Sequence, residues 1–289
     1  MTIFDSIIQG IIQGLTEFLP VSSSGHLAIA QYFLGIKENN LIFNVALHLG
    51  TLLSVIFVYY KLLFTLFTAF FTLIPKLFSK KSKSKYEIIV LNFIYSLVPL
   101  FFLFVPLPKI KNLKTFASFL ASTNNISIVG ISLIVTSALL TFSSLYSNKI
   151  SSRKHFSLKK ISEMKPINSF LIGIAQLVAA IFPGLSRSGS TVSVALLQGI
   201  KREDAVDFSF IMGTPTILAA AILEFKEAKE MGISVDWNII FVGIIVSAIV
   251  GFLSIKLFKW FVSKDKTWIF ALYSLIVGIS ILILKTWNI

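Results

Sequence analysis

The chain has 289 residues, of which 55% are hydrophobic and 13% charged, with a mean hydropathy of +0.86, a formal net charge of +13 and no cysteine. A water-soluble domain carries roughly twice that charged fraction, so a soluble globular fold is excluded, and so are disulfides, thiolate metal sites and a cysteine nucleophile. The positive charge is spread over short stretches between apolar runs, a pattern that argues against nucleic acid and fits loops facing anionic lipid.

The N-terminus lacks the basic region and small-residue cleavage site of a secretory signal, and is expected to be mature sequence. The first apolar segment, 3–36, is interrupted by Glu17-Phe18-Leu19-Pro20-Val21-Ser22-Ser23-Ser24-Gly25-His26. Irregular backbone at membrane depth is tolerated only where protein or a watery cavity surrounds it. The segment therefore reads as a re-entrant helix–break–helix hairpin. A spanning helix needs about 20 mainly apolar residues, and 41–60 qualifies. Residues 62–78 read as an extension of that span, an interfacial helix or a seventh crossing. Spans over 86–106 and 124–146 follow, then a basic linker, 147–167. A second hairpin, 168–200, is broken by Pro183-Gly184-Leu185-Ser186-Arg187-Ser188-Gly189-Ser190-Thr191. Spans over 206–225, 238–257 and 267–285 complete the chain. Trp260, Trp268, Tyr273 and Trp287 flank the last two, mostly as interfacial anchors, and Asp207 is expected to pair or snorkel.

The two hairpins match. At an offset of 163, Gly10, Ile11, Gln13 and Pro20 correspond to Gly173, Ile174, Gln176 and Pro183. At 164, Ser22, Ser24, Gly25, Gly35 and Ile36 correspond to Ser186, Ser188, Gly189, Gly199 and Ile200; Gly50-Thr51 returns to 163 with Gly213-Thr214. A hairpin leaves and re-enters on one side and three spans follow it, so the second copy is inverted relative to the first, as in inverted-repeat membrane proteins. The expected fold is an all-α integral membrane bundle of about six transmembrane helices plus two re-entrant hairpins. It forms one domain, 1–289, with repeats 1–146 and 168–289 joined by the cytoplasmic linker 147–167. Eighteen Lys and Arg fall in the loops of one side and seven on the other. The richer side is assigned to the cytoplasm, which puts both termini outside.

Of 26 Lys and Arg, only Arg187 falls outside this tally, at the tip of the second hairpin. An ionisable residue at membrane depth is a functional-site candidate, set against a structural Arg clamping carbonyls. Ser22–Ser24 and Ser186–Ser190 are natural N-caps for the returning helices, whose free N–H groups and dipoles make an anion site. Packing between close helices is the alternative use of such small residues. Glu17, one turn after Gln13, offers a cation ligand, a proton acceptor, or an ion pair with Arg187. His26, three residues after Ser23, supplies an acid/base candidate next to a hydroxyl. His48, inside a span, reads as structural or as a support behind the site, and His155 as a solvated loop residue.

Gln13-Gly-Leu-Thr-Glu17-Phe-Leu-Pro-Val-Ser-Ser-Ser-Gly-His26 and Pro183-Gly-Leu-Ser-Arg187-Ser-Gly-Ser-Thr191 resemble the two signatures of the undecaprenyl-diphosphatase, or bacitracin-resistance, family. The resemblance covers essentially the whole chain. It implies a bacterial inner-membrane phosphatase that hydrolyses undecaprenyl diphosphate to undecaprenyl phosphate and inorganic phosphate. That reaction recycles the lipid carrier of peptidoglycan synthesis, on a site open to the periplasm and dependent on a divalent cation, Mg or Ca. By match, Glu17, Ser23, His26 and Arg187 are the expected catalytic residues, with Glu17 also the metal ligand. Gln13, Ser22, Ser24, Gly25, Ser186, Ser188, Gly189 and Thr191 are the expected substrate-binding residues. Gln13 stands where many members carry Glu, keeping an oxygen ligand and losing a charge; His48 stands where an amide is expected. Ser23 or a water activated by His26 is the nucleophile. The expected partners are a polyprenyl diphosphate and membrane lipid, with a homodimer left open. The rival reading is a secondary transporter or flippase of polyprenyl phosphate on the same scaffold.

Overall fold

In the computed structural model, Thr2 opens the first helix with a reciprocal capping box. Its hydroxyl accepts from Asp5 N while the Asp5 carboxylate accepts from Thr2 N, starting α1 (Ile3–Phe18). Pro20 follows the end of α1, and the chain resumes as α2 (Ser23–Phe33). A second pair, α7 (Pro166–Ile181) and α8 (Arg187–Leu197), has the same lengths, 16 and 11 residues. Both pairs finish alike. Gly35 (φ 67°) and Gly199 (φ 74°) take the left-handed conformation, and Ile36 N and Ile200 N donate back to Gln31 O and Ala195 O. All residues are described except 37–40, 80, 107–111, 123–125, 153–157, 231–235 and 287–289. His155 and Trp287 therefore lie outside the described residues.

The remaining helices are α3 (Leu41–Leu77), α4 (Lys85–Leu97), α5 (Leu113–Ser122), α6 (Ile126–Ser151), α9 (Arg202–Glu230), α10 (Trp237–Ser263) and α11 (Trp268–Thr286). Among the described residues, six helical segments are long and apolar enough to cross a membrane. Residues 62–77 lie in α3 beyond a kink at Tyr59 (φ −112°, ψ 16°), where two helical stretches meet, and residue 78 falls in the turn that follows. At 1.5 Å per residue α3 is ~55 Å long, against a hydrocarbon core of ~30 Å. The segment expected over 86–106 is α-helical only to Leu97. Pro99, which lacks an N–H, sits at the start of a tighter 3-10 helix, Val98–Phe104. Helix α5 lies within a stretch read as loop; Asn112 Oδ1 accepts from Thr115 N and Thr115 Oγ1 and so starts it.

The burial pattern inverts that of a soluble protein. Phe57, Phe64, Phe101, Phe142 and Ile249 are exposed, whereas Ser6, Gln9, Thr51, Ser96, Ser193 and Ser274 are sealed inside. Lipid is as apolar as leucine, so close contact and interhelical hydrogen bonds drive assembly instead. Gly10 and Gly14 of α1 lie on Gly243, Ser247 and Gly251 of α10, and Gly50 of α3 closes on the same Ser247. In the other half, α7 presses Gly173 against the Ser96 carbonyl of α4. Ion pairs tie the ends of the long helices. Asp207 Oδ1 meets Lys259 Nζ at 2.8 Å and accepts from Tyr59 OH at 2.6 Å; Lys76 meets Glu87 at 2.8 Å, and Arg202 meets Asp265 at 2.8 Å. The pairing expected of Asp207 is present.

Two glycine substitutions separate packing from backbone strain. A Cβ on Gly173 would stand 2.2 Å from Ser96 O, while one on Gly35 meets nothing within 4 Å. Gly35→Ala is expected to cost only the left-handed strain, about 1–2 kcal/mol. Gly173→Ala forces α7 off α4 and should cost more, about 3 kcal/mol. Thermal unfolding of the two purified variants in detergent should therefore give the larger drop in Tm for Gly173→Ala.

Candidate functional site

The two breaks are built by the same capping chemistry. Ser22 Oγ accepts from Gly25 N at 3.4 Å and lies 3.3 Å from Ser24 Oγ. Ser186 Oγ accepts from Gly189 N at 3.1 Å and lies 3.3 Å from Ser188 Oγ. Ser22 does this at φ 71°, a left-handed conformation that a non-glycine residue holds only where its surroundings enforce it. The N–H groups of Ser23, Ser24, Arg187 and Ser188 have no partner among the described residues. Two sets of free donors, each with the positive end of a helix dipole behind it, thus face one space.

The first residue of α2 is Ser23 and the first of α8 is Arg187. Both reach Glu17, at the end of α1, whose side chain is only 5% exposed. Ser23 Oγ donates to Glu17 Oε2 at 2.7 Å, and Arg187 Nη2 donates to Glu17 Oε1. Gln13 Nε2, one turn back on α1, donates to Glu17 Oε2 at 3.0 Å and lies 2.9 Å from His48 Nδ1 of α3. The guanidinium also donates from Nη1 to Gly213 O at 3.4 Å. It needs a glycine there, since a Cβ on Gly213 would stand 2.5 Å from Nη1.

These groups line a cavity of about 210 Å³ enclosed by α1, α2, α3, α7, α8 and α9. Glu17, Ser22, Ser23, Ser24, His48, Ser186, Arg187 and Ser188 supply its polar wall, and Ala179, Ile217, Ala220 and Ala221 an apolar one. Gln13 is fully buried behind Glu17. Gly25 and Gly189 sit in the capped first turns, and Thr191 lies a turn deeper, bonded to Arg187 O and Ser209 Oγ. His26 points away from this cavity wall. Its Nδ1 is 2.8 Å from Ser22 O and its Nε2 2.7 Å from Tyr273 OH, with the two rings stacked at 5.6 Å. Tyr273, expected among the interfacial anchors, is thus a partner of His26.

Two contributors have no place among the expected site residues, and one signal in the sequence leads to both. His48 stands two residues before Gly50-Thr51, the counterpart of the Gly213-Thr214 pair that seats Arg187. Gln176, the counterpart of Gln13, donates to Thr216 Oγ1 at 2.9 Å, and Thr216 lines the cavity. Chemically, the arrangement offers a hydroxyl hydrogen-bonded to a carboxylate, a guanidinium, and unfilled helix N–H donors. That is equipment for binding an anion and attacking it.

A family model described as bacitracin resistance protein BacA matches residues 6–280. The chain is 37% identical to an undecaprenyl-diphosphatase of Halothermothrix orenii and 38% identical to one of Alkaliphilus metalliredigens, in each case over 98% of both chains. It is 37% identical to an undecaprenyl-diphosphatase of Bacteroides fragilis over 96% of both chains.

The Glu17–Arg187 pair makes a stability prediction. Removing one partner of a buried pair strands the other and costs about 3–5 kcal/mol, while removing both avoids that penalty. Arg187→Ala should therefore lower the Tm in detergent more than the double variant Glu17→Ala/Arg187→Ala does. Equal losses would mean that the pair is screened by water.

Proposed function

We propose, for a chain that belongs to the bacitracin resistance protein BacA family, that Ser23, Glu17 and Arg187 form the reacting centre of a membrane phosphatase. The enzyme hydrolyses undecaprenyl diphosphate to undecaprenyl phosphate and inorganic phosphate, recycling the lipid carrier used in peptidoglycan synthesis. It is a multi-pass membrane protein of the bacterial inner membrane. One observation carries the site assignment: the first residues of two facing helices, Ser23 and Arg187, converge on the single carboxylate of Glu17.

In this reading the diphosphate enters between the N-termini of α2 and α8, where unfilled N–H groups and Arg187 take its oxygens. The polyprenyl tail remains in the apolar phase. As Ser23 Oγ attacks the terminal phosphorus, its proton passes to Glu17 Oε2, to which it is already bonded. The bond from that phosphorus to the bridging oxygen breaks, and undecaprenyl phosphate leaves with the bond's electrons. Water then releases phosphate from Ser23, with Glu17 serving the second proton transfer. His26 holds the Ser22 carbonyl that precedes the attacking residue, which supports a role in presenting Ser23. The acid/base role expected of His26 requires its bond to Tyr273 to open.

The donor set fits a divalent cation, Mg or Ca. Gln13 Oε1 is buried with no partner beside the Glu17 carboxylate, and both are hard oxygens. No cluster of three His, Asp or Glu residues occurs among the described residues, so substrate oxygens must complete the shell, as is usual for Mg. Glu17 would hold the ion, which would supply neutralisation of diphosphate charge when bound. A periplasm-facing cavity with both termini outside is supported by the 18-to-7 distribution of Lys and Arg. A homodimer is not required, because every group named here comes from one chain. A flippase on the same scaffold would have no use for a hydroxyl held on a carboxylate.

Phosphate release from undecaprenyl diphosphate by the purified protein tests the assignment. Arg187→Lys keeps the charge but loses the two-pronged donor, and kcat/KM should fall about 10²–10³-fold. Ser23→Ala should fall at least as far. An acid-quenched reaction should yield phosphorylated Ser23 in the wild type only. Chelation of divalent cations should abolish turnover and re-addition restore it. Near-normal release by Arg187→Lys would overturn the assignment.

A further inference from the structure

His48 stands in the site with a bonding pattern that fixes its ring. Gln13 Nε2 carries two hydrogens and lies 3.0 Å from Glu17 Oε2 and 2.9 Å from His48 Nδ1. The reversed amide would set Gln13 Oε1 against the Glu17 carboxylate, oxygen to oxygen. The nitrogen therefore faces Glu17, and its second hydrogen points at His48 Nδ1. With Nδ1 accepting that hydrogen the ring hydrogen is on Nε2, and a ring protonated toward Glu17 Oε2, 3.5 Å from Nδ1, carries a hydrogen on Nε2 as well. Nε2 has no partner among the described residues, the side chain is 33% exposed, and the residue lines the cavity beside Ser23 and Arg187.

From this geometry we infer that His48 is a further substrate-contacting residue: its Nε2–H donates a hydrogen bond to a non-bridging oxygen of the phosphoryl group that Ser23 attacks. Gln13 is the positioning residue that holds the ring in the donor tautomer. An N–H aimed at a phosphoryl oxygen strengthens as charge gathers there, complementing Arg187 from the α3 side of the cavity. The inference rests on the diphosphatase reading of the site and adds α3 to the elements that touch the substrate.

Two substitutions separate the two nitrogens. In Gln the amide nitrogen reaches close to where imidazole Nε2 stands, so His48→Gln keeps a donor toward the cavity. In Asn the amide reaches only as far as Nδ1, so His48→Asn keeps an acceptor for Gln13 and loses the cavity donor. Both variants are purified, checked for monodispersity and Tm, and assayed for phosphate release from undecaprenyl diphosphate, with inorganic pyrophosphate as a competing ligand. His48→Gln should stay within about threefold of wild type. His48→Asn should lose about 10–100-fold in kcat/KM, the scale of one hydrogen bond to a charged group, and bind pyrophosphate more weakly. The reverse order would make the Gln13 contact the function of His48 and overturn the inference. So would equal activity in both, or equal loss in both when they are folded. Failure of wild type itself to release phosphate would instead sink the diphosphatase reading.

Discussion

The Glu17 carboxylate holds the structure's centre together because the first residues of both returning helices bond to it. Its side chain is almost fully buried, and it is satisfied by a guanidinium, a hydroxyl and an amide from three different helices. A carboxylate at that depth is costly unless paired and hydrogen-bonded. The pairing therefore dictates where α2 and α8 must start. Once Ser23 and Arg187 are drawn to the same two oxygens, the N-termini of those helices face each other across the cavity they line. Small residues elsewhere serve that placement: Gly14 lets α1 settle on α10, and the bare Gly213 gives the guanidinium its seat.

Much of this was legible in the sequence because it depends on local chemistry. Hydropathy marked the six long apolar helices. Proline followed by serines marked both breaks and put the N-caps within Ser22–Ser24 and Ser186–Ser190, where the structure has Ser22 and Ser186. Arg187 announced itself as the only cation outside the loops. Glu17, four residues after Gln13, lay on the same helical face. Each of these readings needs only neighbours within a turn or two.

What stayed hidden depends on distant partners. His26 follows the serine run and reads as an acid/base candidate, yet both of its nitrogens are engaged, one by a tyrosine 247 positions away. His48 reads as structural or as a support behind the site until the packing of α3 on α1 brings its ring to Gln13 and the cavity wall. The 3-10 turn after Pro99 and the short α5 escaped because hydropathy is blind to the hydrogen-bond pattern within an apolar run. The course of 62–78 was undecidable by length; the chain stays helical to Leu77 but bends at Tyr59, where two helical stretches meet.

The equivalence of Ser23 and Arg187 has an evolutionary corollary. They hold the same position in two structurally alike hairpins but bring different chemistry, one a hydroxyl and the other a cation. Were the cavity formed by two identical subunits, both positions would carry the same side chain, giving either two hydroxyls with no counter-charge or two guanidiniums with nothing to attack. Because both hairpins belong to one polypeptide, the two equivalent positions are free to differ, and a hydroxyl and a guanidinium meet on one carboxylate.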